Sequence, residues 1–158
     1  MPSNFSLLQE NIRDNGFEEK IIAIPYGLSA KTERRRLYVS DLDVDHSLYA
    51  KDHGGQWMDI PCVSLQEALH THGISRCDLL KLDCEGAEYE CLYSASEYLD
   101  AFHEIRLEYH DEKVRSMGPE YNIESLIQYL IDRGFVVKLH KPETADHGML
   151  WVERSDIS

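Results

Sequence analysis

No run of apolar residues approaches the roughly twenty that a membrane-spanning helix needs. The opening, MPSNFSLLQENIRDNG, lacks the charged-then-apolar order of a secretory signal. The membrane is excluded on this reading, and the cytoplasm is the expected location. Basic residues are scarce as well: 16 Lys and Arg stand against 29 Asp and Glu, a net charge of -13. Binding a phosphate backbone or an anionic bilayer needs clustered cations, so nucleic acid is excluded as a partner too. The one basic cluster, Arg34-Arg35-Arg36, leads into an apolar run and reads as solvated surface. Cys62, Cys77, Cys84 and Cys91 show no C-x-x-C spacing, which signals neither a zinc site nor a redox pair. Cys84 and Cys91 read as small core residues. No G-x-G occurs, and Gly54-Gly55 lies in a polar loop with no buried strand before it, so it reads as a turn.

What is present is ordinary for one globular domain, residues 1–158, with 42% apolar and 28% charged residues. Ser3 or Asn4 can cap a first helix carrying Phe5, Leu8 and Ile12, stopped by Gly16. KIIAIPYG reads as a short buried strand over residues 21–25. RLYVS and WMDIPCV read as two further strands around a polar loop. In that loop Asp41, Asp43 and Asp45 alternate like calcium ligands, but the central Gly and closing Glu of a calcium loop are absent. S-L-Q-E, residues 64–67, is a capping box that opens a helix ending at Gly73. CDLLKLDC reads as a strand buried on both faces, and a helix follows from about Ala87. EIRLEYH is the next strand, Asn122 caps a helix stopped by Gly134, and FVVKLHK and GMLWVER close the chain as an antiparallel hairpin. This alternation predicts an α/β fold with a mostly parallel sheet and an antiparallel C-terminal hairpin.

The stretch KLDCEGAEYECL concentrates the chemistry. In an open parallel sheet, ligands bind beyond the carboxyl ends of the strands. Asp83 and Glu85 stand where one strand gives way to its helix, and Glu108, His110 and Asp111 end the next strand. Gly86 allows close approach of backbone or ligand. From spacing alone, Asp83 and Glu85 serve equally as a helix cap and a first-turn charge.

DLLKLDCEGAEYECL resembles the D-L-L-K-[IL]-D-x-E-G-A-E-x-x-x-L signature of the FkbM-type methyltransferases, which use S-adenosylmethionine. IPCVSLQEALHTHGISRCDLLKLD is similar to the family's approach to that signature, with Gln66 where the family usually has Asp. The N-terminal helix, strand and polar hairpin are similar as well, so the resemblance covers nearly the whole chain. It implies a Rossmann-like methyltransferase sheet ordered 3-2-1-4-5-7-6, truncated at the N-terminus so that its first two strands are missing. It implies cofactor contacts by Tyr26, Gly27, Leu28 and Asp83, and catalytic roles for Asp83, Glu85, Glu108 and His110. The reaction implied is methyl transfer to a hydroxyl of a sugar or other small metabolite, the small-molecule acceptor.

The absent strands would carry the glycine-rich turn and the ribose-binding acid. Each lost hydrogen bond to a charged group is worth roughly 1.5 to 3 kcal/mol, and about 1.4 kcal/mol is tenfold in affinity. The isolated chain is therefore expected to bind S-adenosylmethionine too weakly to act. Residues 21–25 are expected to pair with residues 79–83, or a second copy or partner chain to fill the gap. One rival reading is a binding or assembly module on a shortened methyltransferase fold. Another is a metal site of Asp83, Glu85, Glu108 and His110, whose oxygen-rich set would suit Mg or Mn; the spacing fixes no ligand count, and no metal is assigned. A third is an incomplete reading frame.

Overall fold

The computed structural model describes residues 1–40, 46–49 and 55–155. Asp41, Asp43, Asp45 and Gly54 lie outside the described residues. The helix α1 (Pro2–Asp14) starts on proline, whose missing N–H is no loss in a first turn. Neither Ser3 nor Asn4 is its cap. Of its apolar positions Ile12 is buried while Leu8 remains exposed. The strands β1 (Gly27–Leu28), β2 (Glu33–Tyr38) and β3 (Trp57–Val63) follow, then α2 (Leu65–Thr71) and β4 (Cys77–Leu82). After α3 (Glu88–Ser94) come β5 (Phe102–His110), a short α4 (Asp111–Val114), α5 (Ile123–Ile131), β6 (Phe135–Pro142) and β7 (His147–Arg154). The capping residues read from the sequence act as expected in two cases. Ser64 accepts from the Glu67 N–H at 3.1 Å and Asn122 from the Ser125 N–H at 2.9 Å.

The strands form two sheets, ordered β1-β3-β2 and β4-β5-β7-β6. The expected single, mostly parallel sheet is thus corrected. β1 with β3 and β4 with β5 are parallel, whereas β2 with β3, β5 with β7 and β6 with β7 are antiparallel. The α/β class and the closing antiparallel hairpin stand. Along β5, Phe102, Ile105, Leu107 and Tyr109 are buried with Leu150 and Val152 of β7. Tyr89, Cys91 and Leu92 of α3 and Ile123, Leu126 and Leu130 of α5 belong to the same core. α3 and α5 meet through the edge-on rings of Tyr93 and Tyr129, whose centroids lie 4.7 Å apart. The Tyr129 hydroxyl also donates to the Leu92 carbonyl at 3.1 Å.

Two strand expectations fail for one physical reason. Residues 21–26 form no strand, and Ile21, Ile22 and Ile24 are exposed. Residues 79–83 do not pair with them; among the described residues β4 is hydrogen-bonded to β5 alone. A strand needs a ladder partner for its N–H and C=O groups, and here the chain finds one only at Gly27 and Leu28, opposite Cys62 and Val63. β4 is accordingly not buried on both faces: Leu79 and Lys81 are exposed. Nor is the arginine cluster plain solvated surface. Arg35 is ion-paired with Glu90, and the guanidinium of Arg36 lies 4.5 Å from the Trp57 ring centroid. No helix of the described residues is long and apolar enough to cross a membrane.

Candidate active site

β4 ends at Leu82, and the chain then turns through Asp83, Cys84, Glu85 and Gly86 into α3. Glu85 has φ +53, the left-handed region, and is the one non-glycine residue with positive φ among those described. Such backbone costs on the order of 1 to 3 kcal/mol and persists where surrounding contacts impose it. Those contacts are visible. The Ser47 hydroxyl donates to the Glu85 carbonyl at 2.6 Å, Lys113 of α4 donates to its carboxylate, and Gly86 follows with φ +106. A Cβ on Gly86 would lie 3.1 Å from Lys113 Cβ, 3.1 Å from a Tyr49 ring carbon and 3.2 Å from Val114 Cγ1. Gly86→Ala is expected to cost about 1 to 3 kcal/mol through strain and crowding. Chemical denaturation checks it; an unchanged midpoint would show that the turn relaxes freely.

The turn is held from inside by Glu88. This residue is 0% exposed, although as the second acid of E-G-A-E at a helix start it would be expected to face water. Its Oε1 accepts from the Cys84 N–H at 2.6 Å and its Oε2 from the Gly86 N–H at 3.0 Å. His110 Nδ1 lies 3.5 Å from the same Oε1. Burial alone would lower the His110 pKa, but the adjacent Glu88 carboxylate, helped by Glu85, outweighs it; the net shift is upward. Cys84 lies in the same turn, half-buried, where burial and the Glu88 charge push its thiol up to about 12. It packs, partly buried, against the core to which the fully buried Cys91 belongs. All four cysteines are free thiols.

Two clefts meet at Glu85. The larger, of about 800 Å³, is lined by Tyr26, Gly27, Leu28, Asp83 and Glu85 together with α1, His46, Leu48 and β3. The structure thus brings together all the residues expected at the cofactor. Asp83 is half-exposed there, with Lys81 Nζ at 3.5 Å from its Oδ2. Gly27 has a packing reason of its own, since a Cβ would meet Ile60 Cδ1 at 2.9 Å and Cys62 Sγ at 3.0 Å. The smaller cleft, of about 520 Å³, is lined by Glu85, Glu108, His110, Thr144, Asp146 and His147. Glu108 and His110 line the smaller cleft and Asp83 the larger, with Glu85 common to both; at the junction, ligand atoms of Asp83, Glu85 and His110 still lie within 4.8 Å of one another.

His147 was not singled out in the sequence. It sits in the first position of β7, directly opposite His110 of β5. Its Nε2 is 2.7 Å from Glu108 Oε1, and that hydrogen bond is the main reason the Glu108 carboxyl titrates below its usual range. Only the partner of β7 could have revealed it, and the sequence did not say which strand that is. Asp111, next to His110 in the chain, turns away from the cleft. It accepts from the Tyr89 hydroxyl and from the Ile123 N–H at 3.1 Å, and burial raises its pKa against those donors. Its work is to tie α3 and α5 to the end of β5.

The sequence model of the family described as Methyltransferase FkbM domain matches residues 4–137. No curated protein and no solved structure matches the chain.

Proposed function

Since the chain belongs to the FkbM methyltransferase family, we propose that it uses S-adenosylmethionine to methylate a hydroxyl of a sugar or other small metabolite. What supports the cofactor is the larger cleft: Tyr26, Gly27, Leu28, Asp83 and Glu85, remote in sequence, line one space. Its volume of about 800 Å³ suits a small molecule of cofactor size. The order β4-β5-β7-β6, with β7 antiparallel to both neighbours, agrees with the 4-5-7-6 half of a Rossmann-like methyltransferase sheet.

On this reading Tyr26, Gly27 and Leu28 form the adenine wall. When bound, the cofactor supplies an electrophilic methyl group. Asp83, beyond the end of β4, accepts the proton of the acceptor hydroxyl, and its negative charge would favour the cationic sulfonium of a cofactor held in the cleft. Glu85, fixed by Lys113, marks the boundary between the two clefts, and the acceptor enters from the Glu108 and His110 side. Holding the hydroxyl in line supplies most of the remaining rate advantage.

The sequence offers no G-x-G turn to cradle the methionine end, so affinity of this chain for the cofactor is expected to be weaker than millimolar. Amide NMR spectra recorded during titration with S-adenosylmethionine test both points. Shifts confined to residues 26–28 and 83–85, still rising at millimolar concentration, are the expected result. Absence of shifts at those residues would overturn the cofactor site and leave a binding module. Saturation at micromolar concentration would overturn the expected weakness.

A further inference from the structure

We propose that Glu108, His110 and His147 form a binding site for a divalent transition-metal ion, with zinc as the reference ion. The register of β5 against β7 creates it. His110 and His147 are directly opposite one another, and Glu108, two residues back on β5, shares their face of the sheet. One ligand atom from each lies within 4.8 Å of the others. Glu108 Oε1 is 2.7 Å from His147 Nε2 and 4.0 Å from His110 Nε2. The two imidazole rings are 5.1 Å apart.

The orientation of the imidazoles is the second observation. His147 presents Nε2 to Glu108, His110 Nε2 lies between Glu85 Oε2 at 3.4 Å and Glu108 Oε1 at 4.0 Å, and a carboxylate stands behind each Nδ1. Glu88 Oε1 lies 3.5 Å from His110 Nδ1, and Glu143 Oε2 lies 3.8 Å from His147 Nδ1. A carboxylate behind a ligating histidine fixes its ring and raises its basicity. His110 is 5% exposed, and its Nδ1 has no hydrogen bond of normal geometry to satisfy it. A metal ion on Nε2 would require Nδ1 to carry the proton and donate it toward Glu88.

Two nitrogens and one carboxylate favour zinc, iron or manganese over magnesium or calcium, which prefer oxygen. The alternative set of Asp83, Glu85 and His110 also converges, but Lys113 already occupies the Glu85 carboxylate. Three protein ligands leave positions open toward the cleft for water or for an acceptor hydroxyl, whose acidity a bound cation raises. That last role rests on the methyltransferase reading; metal binding itself does not.

The test is calorimetric titration of the metal-stripped chain with zinc at neutral pH, without any cofactor. One saturable site of micromolar or tighter affinity is expected. His147→Gln is expected to weaken it by more than about a hundredfold, beyond the ten- to hundredfold typical of losing an outer-shell partner. His103→Gln, at the opposite end of β5, should leave it unchanged. Manganese should broaden amide signals around His110 and His147. Should His147→Gln disturb the amide spectrum globally, Glu108→Gln provides the same comparison. No saturable binding below millimolar zinc, binding unaffected by either substitution, or broadening centred elsewhere would each overturn the site. Failure of zinc binding leaves the cofactor titration untouched, so the two readings fail separately.

Discussion

Asp83→Asn is expected to lower methyl transfer by about a hundredfold to ten-thousandfold in a catalytically competent form of the protein. Asparagine keeps the shape and one acceptor but can neither take a proton nor carry the charge. The side chain is half-exposed and its ion pair with Lys81, at 3.5 Å, is a surface one. Exposed pairs of this kind contribute about 0 to 1 kcal/mol, so the unfolding midpoint should barely move. Turnover with S-adenosylmethionine and a fixed acceptor, measured beside a denaturation curve, separates chemistry from stability. Near-normal turnover in the variant would remove Asp83 from the reaction.

Glu88→Ala should do the reverse and act on the fold. The substitution orphans the N–H groups of Cys84 and Gly86 and removes the carboxylate facing His110. Breaking a buried charged contact by truncating one partner typically costs about 3 to 5 kcal/mol, and each unsatisfied buried donor about 1 to 3 kcal/mol. These contributions overlap, so a total of about 3 to 5 kcal/mol is expected in urea denaturation. Glu88→Gln, which retains one acceptor oxygen, should fall between the wild type and the alanine variant. A loss below about 1 kcal/mol for Glu88→Ala would mean that the turn through Glu85 is held by Ser47 and Lys113 alone.

The two substitutions also mark the limit of the sequence. Asp83 and Glu85 were legible because a strand-to-helix junction is a local pattern, and acids at a strand's carboxyl end point to a crevice. The E-G-A-E run was equally visible, but nothing local says that its second acid turns inward. Helix α3 lies across the end of β5, and that packing puts Glu88 beneath its own turn, 0% exposed.

Strand existence followed the same division. The alternating and apolar runs identified residues 57–63, 104–110 and the closing hairpin, because side-chain period is a property of the segment itself. KIIAIP carries the same apolar signal yet forms no strand, since a ladder depends on a partner elsewhere in space.

By itself, the sequence determined the α/β class, the family signature, the acids at the end of β4 and the pair Glu108 and His110 on β5. Those features are written in patterns a few residues long. Tertiary structure alone decided that the strands divide into two sheets, that Tyr26 and Asp83 share a cleft, and that Glu108 and His110 face another. It also decided that His147 completes the second cleft, because the antiparallel register of β7 on β5 joins residues 37 positions apart. Register is fixed by which faces are buried and which strand lies alongside, and neither is a local property of the chain.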